Sequence, residues 1–153
     1  MPAEEVEERL AARLARRSLF GNEYPPRFVF YVHEFVLRTP VGGSAVMFDQ
    51  LDHLLRMSVR SNFTLRVVSA SLGAHTAMTG AFKLIRFAEF KPVVYLESET
   101  VNLFLEKPEE IAAYQRILAA LAGVALDEGE SRELIATLAS ELYADREDQD
   151  DRP

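Results

Sequence analysis

Glu34 closes an aromatic and β-branched run that reads as a strand, Arg27-Phe28-Val29-Phe30-Tyr31-Val32-His33-Glu34, and Arg38 stands four residues further on. A carboxylate and a guanidinium where a strand ends can pair near the C-terminal edge of a sheet, a usual ligand position in open α/β folds. Glu97 closes a later apolar run, and Tyr95, two residues earlier, shares its face if that run is a strand. His75 lies on a segment rich in glycine and threonine. Together Glu34, Arg38, His75, Tyr95 and Glu97 could line a pocket for a polar small molecule or a contact for a partner. The same residues suit an ion-pair clamp on strand ends and turns, and both uses stay open from the residues alone.

Other chemistries find less support. His33, His53 and His75 are widely spaced. Asp49 and His53 share a helix face at i, i+4, which allows two metal ligands but lacks an HExxH arrangement. No metal and no cofactor is therefore expected. Gly42-Gly43 precede a helix start, where an anion can bind, but without GxGxxG or a P-loop lysine the pair reads as a turn. The serines form no GxSxG elbow. Glu34 and Glu97 as paired glycosidase acids would stand without any other substrate-binding signature.

The elements that must position these residues follow from periodicity and punctuation. Residues 3–19 read as a helix with Glu4, Glu5, Glu7 and Glu8 early and Arg9, Arg13, Arg16 and Arg17 late, an order that suits the helix dipole. Its stripe of Val6, Leu10 and Leu14 is narrow, so it fits a linker or one half of an interface. Gly21 to Pro26 breaks the helix. After the first strand and a turn at Pro40–Ser44, with Ser44 as cap, a helix runs to about Val59 with Met47, Leu51, Leu54, Leu55 and Ser58 on one face.

Further strands read at Phe63–Ser69, Ala81–Phe87, Val93–Glu97 and Val101–Leu105. Pro108 opens a helix whose inner face holds Ile111, Tyr114, Ile117, Leu118, Leu121 and Val124. Asp127 and Glu130 form a capping box for a last helix, with Leu134, Ile135, Leu138 and Leu142 inward. The predicted class is α+β or α/β: a single mixed sheet of four to five strands, an N-terminal helix, one crossover helix and two C-terminal helices. The predicted organisation is a linker-like helix over 1–20, a regulatory α/β domain over 21–143 and an acidic, disordered tail over 144–153. The phenylalanines at 28, 30, 63, 82, 87 and 90, with Tyr31, read as core rather than as a ligand cage.

Composition narrows the classes. The chain has 153 residues, one domain's length, and no cysteine, which removes disulfide scaffolds, thiol catalysis and cysteine-based zinc sites. A net charge of −7 argues against an autonomous nucleic-acid binder. No apolar run reaches membrane-helix length, and the charged start lacks a secretory h-region, so a cytoplasmic location is expected.

Several segments, in order, resemble one family. Phe30 to Gly43 looks like the opening of the domain of unknown function carried by actinobacterial Scr-type regulators, which are antitoxin-like transcription factors with an XRE-type helix-turn-helix. Val46 to Leu55 is similar to that family's "M..QL.HLL" helix. Asn62 with Leu65 to Val68 resembles its second strand. Gly73-Ala74-His75 and Gly80-Ala81-Phe82 resemble its "GAH…GxF" segment, Val94 to Glu97 its "VYxE", and Ser131 to Ile135 its closing "ES..LI". Arg13, Arg16 and Leu19 match its connecting "R..RQ..L", with Arg17 where glutamine is usual.

The resemblance implies a non-enzymatic regulatory domain that engages a small BldB-like partner protein. DNA would be reached only through a helix-turn-helix not contained in these residues. A homodimer is compatible with the first-helix stripe. The expected contact features are that helix's arginines, the acidic surface and the strand edges. The alternatives are a small-molecule sensor centred on Glu34, Arg38, His75 and Glu97, and an unrecognised enzyme using those carboxylates.

Overall fold

A computed structural model describes residues 2–75, 78 and 80–144. The acidic tail predicted past Ala144 lies outside the described residues, as do Thr76 and Thr79 of the glycine–threonine segment.

Helix α1 spans Ala3–Ala15 and continues as a 3-10 turn over Arg16–Gly21. Strand β1 (Phe28–His33) leads into a short helix α2 (Glu34–Arg38), then helix α3 (Ser44–Ser58) and strand β2 (Phe63–Val68). Strands β3 (Lys83–Ile85), β4 (Val93–Glu97) and β5 (Asn102–Leu105) follow. Helices α4 (Pro108–Val124) and α5 (Glu128–Leu138) complete the order, α5 ending in a π-helical turn over Ala139–Tyr143.

The α+β class and the five strands stand as predicted, but the single mixed sheet is two sheets. β1 and β2 form a parallel pair, in register Phe28 to Phe63 through His33 to Val68, joined by the crossover through α3. β3, β4 and β5 form a separate antiparallel sheet in that order. The cause is visible at the outer edge of β2. There Val67 N–H donates to Ser131 Oγ (2.8 Å) and Leu126 N–H donates to Val67 C=O (2.9 Å). At Val67 the ladder groups a third strand would need are taken by Leu126 of the α4–α5 connection and Ser131 of α5.

The main core joins α3, β2 and α5. Leu51, Val67 and Ile135 are fully buried, with Leu37, Met47, Phe63, Leu65, Leu138 and Tyr143 around them. Leu54, Leu55, Leu134 and Leu142 pack against this cluster, so the predicted helical faces hold. α4 covers the antiparallel sheet through Ile111 and Leu121, and Phe82 meets Tyr114 at 4.8 Å. Val124 is exposed rather than inward, because it falls at the last residue of α4.

Three local readings change. The first strand stops at His33, whose Nδ1 accepts from Phe35 N–H (3.1 Å) and so caps α2. The third strand is only three residues long. Ser44 begins α3 rather than capping it: Gly43 is the cap, and Gly42 and Gly43 hold φ of 78° and 90°, a region that side chains disfavour. The Asp127–Glu130 capping box forms as read, with bonds of 2.7 and 3.0 Å.

Among the described residues no helix is long and apolar enough to cross a membrane. α1 buries none of its residues, and Val6, Leu10 and Leu14 all remain exposed. The turn after it is anchored instead, with the Phe20 ring against Phe28 (4.5 Å) and Phe63 (5.9 Å).

Candidate functional site

The five residues singled out in the sequence fall into two places. Glu34 opens α2 at the C-terminal end of β1 and is 7% exposed. Its Oε1 accepts from Arg38 Nε at 2.8 Å and lies 2.7 Å from a second guanidinium nitrogen. Its Oε2 accepts from Ala70 N–H at 2.7 Å and from Ser69 Oγ–H at 3.3 Å. The carboxyl is held below its ordinary value of 4.5, first by the Ala70 N–H bond and then by Arg38 and Ser69, against the opposing effect of burial. Both oxygens are thus occupied. An ionised, saturated carboxylate is a poor general base, and here it ties the end of β1 to the turn that follows β2.

His75 does approach this end of the parallel pair. Its ring lies 5.6 Å from that of His33, nearly parallel at 18°. Among the described residues neither ring nitrogen of His75 has a hydrogen-bond partner, and both are buried.

Tyr95 and Glu97 sit elsewhere, on β4 of the antiparallel sheet. Tyr95 packs on Phe104 at 5.0 Å, and Lys83 Nζ stands 5.3 Å from the centre of its ring. They border an open depression of about 390 Å³ together with Arg9, Arg13, Phe82 and Lys83. The cluster expected from Glu34, Arg38, His75, Tyr95 and Glu97 is therefore split between the two sheets, and the reason is the same division that broke the predicted single sheet. Among the described residues no group of three or more histidines and acids is placed to hold a metal. Asp49 and His53 remain on α3.

Around Glu34 lies an apolar surface that the sequence reading did not single out. Phe35, Val36, Val41 and Val46 are each more than half exposed. Phe35 and Val36 are the residues of α2 left outward when Glu34 and Leu37 turn in. The tight glycine turn carries Val41 back toward α3, where a Cβ at Gly42 would stand 3.1 Å from Val46. Four exposed apolar side chains within twelve residues form a patch of the kind that marks contact sites.

Two other residues missed in the sequence are structural. Arg66 donates to Leu126 C=O (2.8 Å) and Ala125 C=O (2.7 Å) and lies 5.8 Å above the Tyr31 ring, its partner across the ladder. It satisfies carbonyls left free where α4 ends. Tyr143 donates its hydroxyl to Leu37 C=O (2.9 Å), tying the C-terminal turn to α2. Nothing in the local sequence marks either pairing, since both partners are distant in the chain.

The architecture is that of an α+β domain with a parallel pair and a small antiparallel sheet. The family model described as Domain of unknown function (DUF5753) matches residues 1–137, and the chain belongs to that family. No curated protein and no solved structure matches the chain.

Proposed function

We propose that this chain is a non-enzymatic regulatory domain that binds a small partner protein, and that the partner is of the BldB-like kind implied by its resemblance to Scr-type helix-turn-helix regulators. DNA contact in that reading belongs to a helix-turn-helix outside these residues. The observation that carries the reading is the Phe35, Val36, Val41 and Val46 patch, whose four side chains are all more than half exposed. The backbone beneath it is fixed by Glu34, by Tyr143 on Leu37 C=O and by the Gly42–Gly43 turn. An apolar patch on a braced frame loses little entropy on docking. The engaged carboxylate of Glu34 favours a structural over a catalytic use of the most buried acid in the domain.

The test is co-expression with the small protein encoded beside the gene, followed by size-exclusion chromatography with light scattering. A co-eluting complex supports the reading; two separate peaks contradict it. A second reading, effector binding, is favoured by one observation. The depression bordered by Arg9, Arg13, Lys83 and Tyr95 sets three cations, with the carboxylates of Glu97 and Glu99, beside an aromatic ring. Thermal-shift screening of small anions, repeated on Lys83→Met, checks it.

A further inference from the structure

We propose that His33 is a proton switch on the α2 surface: its neutral imidazole caps α2 and holds Phe35 and Val36 in place, and a further proton on the ring releases that cap in mild acid. The inference rests on the reading of α2 as the partner surface. Its test reads the free chain, so the two can fail separately.

The state of the ring follows from one bond. His33 Nδ1 accepts from Phe35 N–H at 3.1 Å and caps the helix. An accepting nitrogen carries no proton, so the single N–H of the neutral ring sits on Nε2. A further proton can go only to Nδ1, where it sets donor against donor. Closing the cap therefore requires a neutral ring, and an imidazolium must release a proton to form it. By linkage the capped form predominates at higher pH and is lost as pH falls. The usual capping side chains, Ser, Thr, Asp and Asn, stay acceptors near neutrality. Imidazole is the side chain whose charge changes over about pH 5–8.

The surroundings give an imidazolium no free counter-charge. The His75 ring lies 5.6 Å from that of His33 at 18°, with both of its nitrogens buried. A proton on each ring would set like charges face to face. Glu34 of α2 is the adjacent acid, but its oxygens are taken by Arg38, Ala70 N–H and Ser69. Tyr31 shares the His33 face of β1, and its ladder partner Arg66 adds positive charge on that face. Glu34 is held below 4.5, so its tie to Ala70 stays intact while His33 changes state.

The released segment is short. Leu37 is buried, and its carbonyl accepts from Tyr143, so the second half of α2 stays anchored. The first turn carries Phe35 and Val36, and a helix of five residues has little ladder to replace a lost cap. Affinity at this surface then falls with the fraction of chains that remain capped.

Nuclear magnetic resonance of the full chain from about pH 8 to pH 5 tests the switch. Long-range proton–nitrogen correlation should place the His33 proton on Nε2 at the upper end. As His33 charges, the Phe35 amide signal should move along the same curve. Its exchange protection factor should drop about fivefold, the worth of one helix cap. His33→Asn keeps an acceptor that does not titrate, so its Phe35 amide should hold steady with α2 helical. His75→Phe keeps a ring beside His33, and its Phe35 amide should still follow the His33 titration. A His33 proton on Nδ1 at the upper end overturns the proposal. So does a His33 that stays neutral throughout, or a Phe35 amide that ignores its titration. A response that persists in H33N, or that vanishes in H75F, overturns it as well.

Discussion

Replacing Glu34 by glutamine separates the two uses of that residue by energy. The side chain keeps its shape but loses its charge. The glutamine oxygen can still accept from Ala70 N–H and Ser69 Oγ–H, whereas its amide nitrogen then faces the Arg38 guanidinium, donor against donor. In the native chain the carboxylate takes four short contacts, from Arg38 Nε, a second Arg38 nitrogen, Ala70 N–H and Ser69 Oγ. A hydrogen bond to a charged, buried group is worth about 1.5–3 kcal/mol net. Losing the charge-assisted part should cost roughly 2 kcal/mol, or about 4–8 °C in Tm for a chain of this length.

Arg38→Met removes less. The Arg38 side chain is 46% exposed, so its pairing is largely solvent-screened and worth ~1 kcal/mol at most, while Ala70 N–H still holds the carboxylate. The order E34Q worse than R38M is the signature of a backbone staple. The pH dependence has a fixed sign. The folded-state pKa is below 4.5, so the contribution is full above that value and is lost as pH falls through the folded pKa. The stability gap between wild type and E34Q should be constant near neutrality and close in acid. Thermal melts of the three proteins from neutral pH downward check this. An R38M variant less stable than E34Q, or a gap that widens in acid, would refute the reasoning.

Ser131→Ala leaves the buried Val67 N–H without its acceptor and should cost about 1–3 kcal/mol, measured by chemical denaturation. Tyr143→Phe unpairs Leu37 C=O and should cost about 1 kcal/mol, with amide exchange rising first in α2 and the π-helical turn. Lys83→Met should leave the melting temperature nearly unchanged, since Lys83 is exposed, and unaltered binding of small anions in that variant would remove the effector reading.

Much of the fold was legible because its signals are local. The periodic faces of α3, α4 and α5, the Asp127–Glu130 box and the runs that became β1, β2, β4 and β5 all rest on neighbours within a few residues. The Glu34–Arg38 pair was legible for the same reason, four residues apart on one turn. The assembly of strands into sheets was not. It depends on Ser131 and Leu126 occupying the edge of β2, contacts across some sixty residues that leave no pattern at Val67. Splitting that sheet also separated Tyr95 and Glu97 from Glu34. The Phe35, Val36, Val41 and Val46 patch has no local signature, because its residues are spread over the end of a strand, a turn and a helix. The His33 cap that starts α2 leaves Phe35 and Val36 outward.

The most direct test of partner binding at α2 is calorimetric titration of the purified small partner into wild type and into Phe35→Asp. Phe35 is exposed, so the variant should melt like wild type. Full burial of such a ring is worth about 1.5–3 kcal/mol, so the account predicts that Phe35→Asp weakens binding by at least roughly tenfold. Equal affinity for the two proteins, or no heat of binding with wild type, would contradict it.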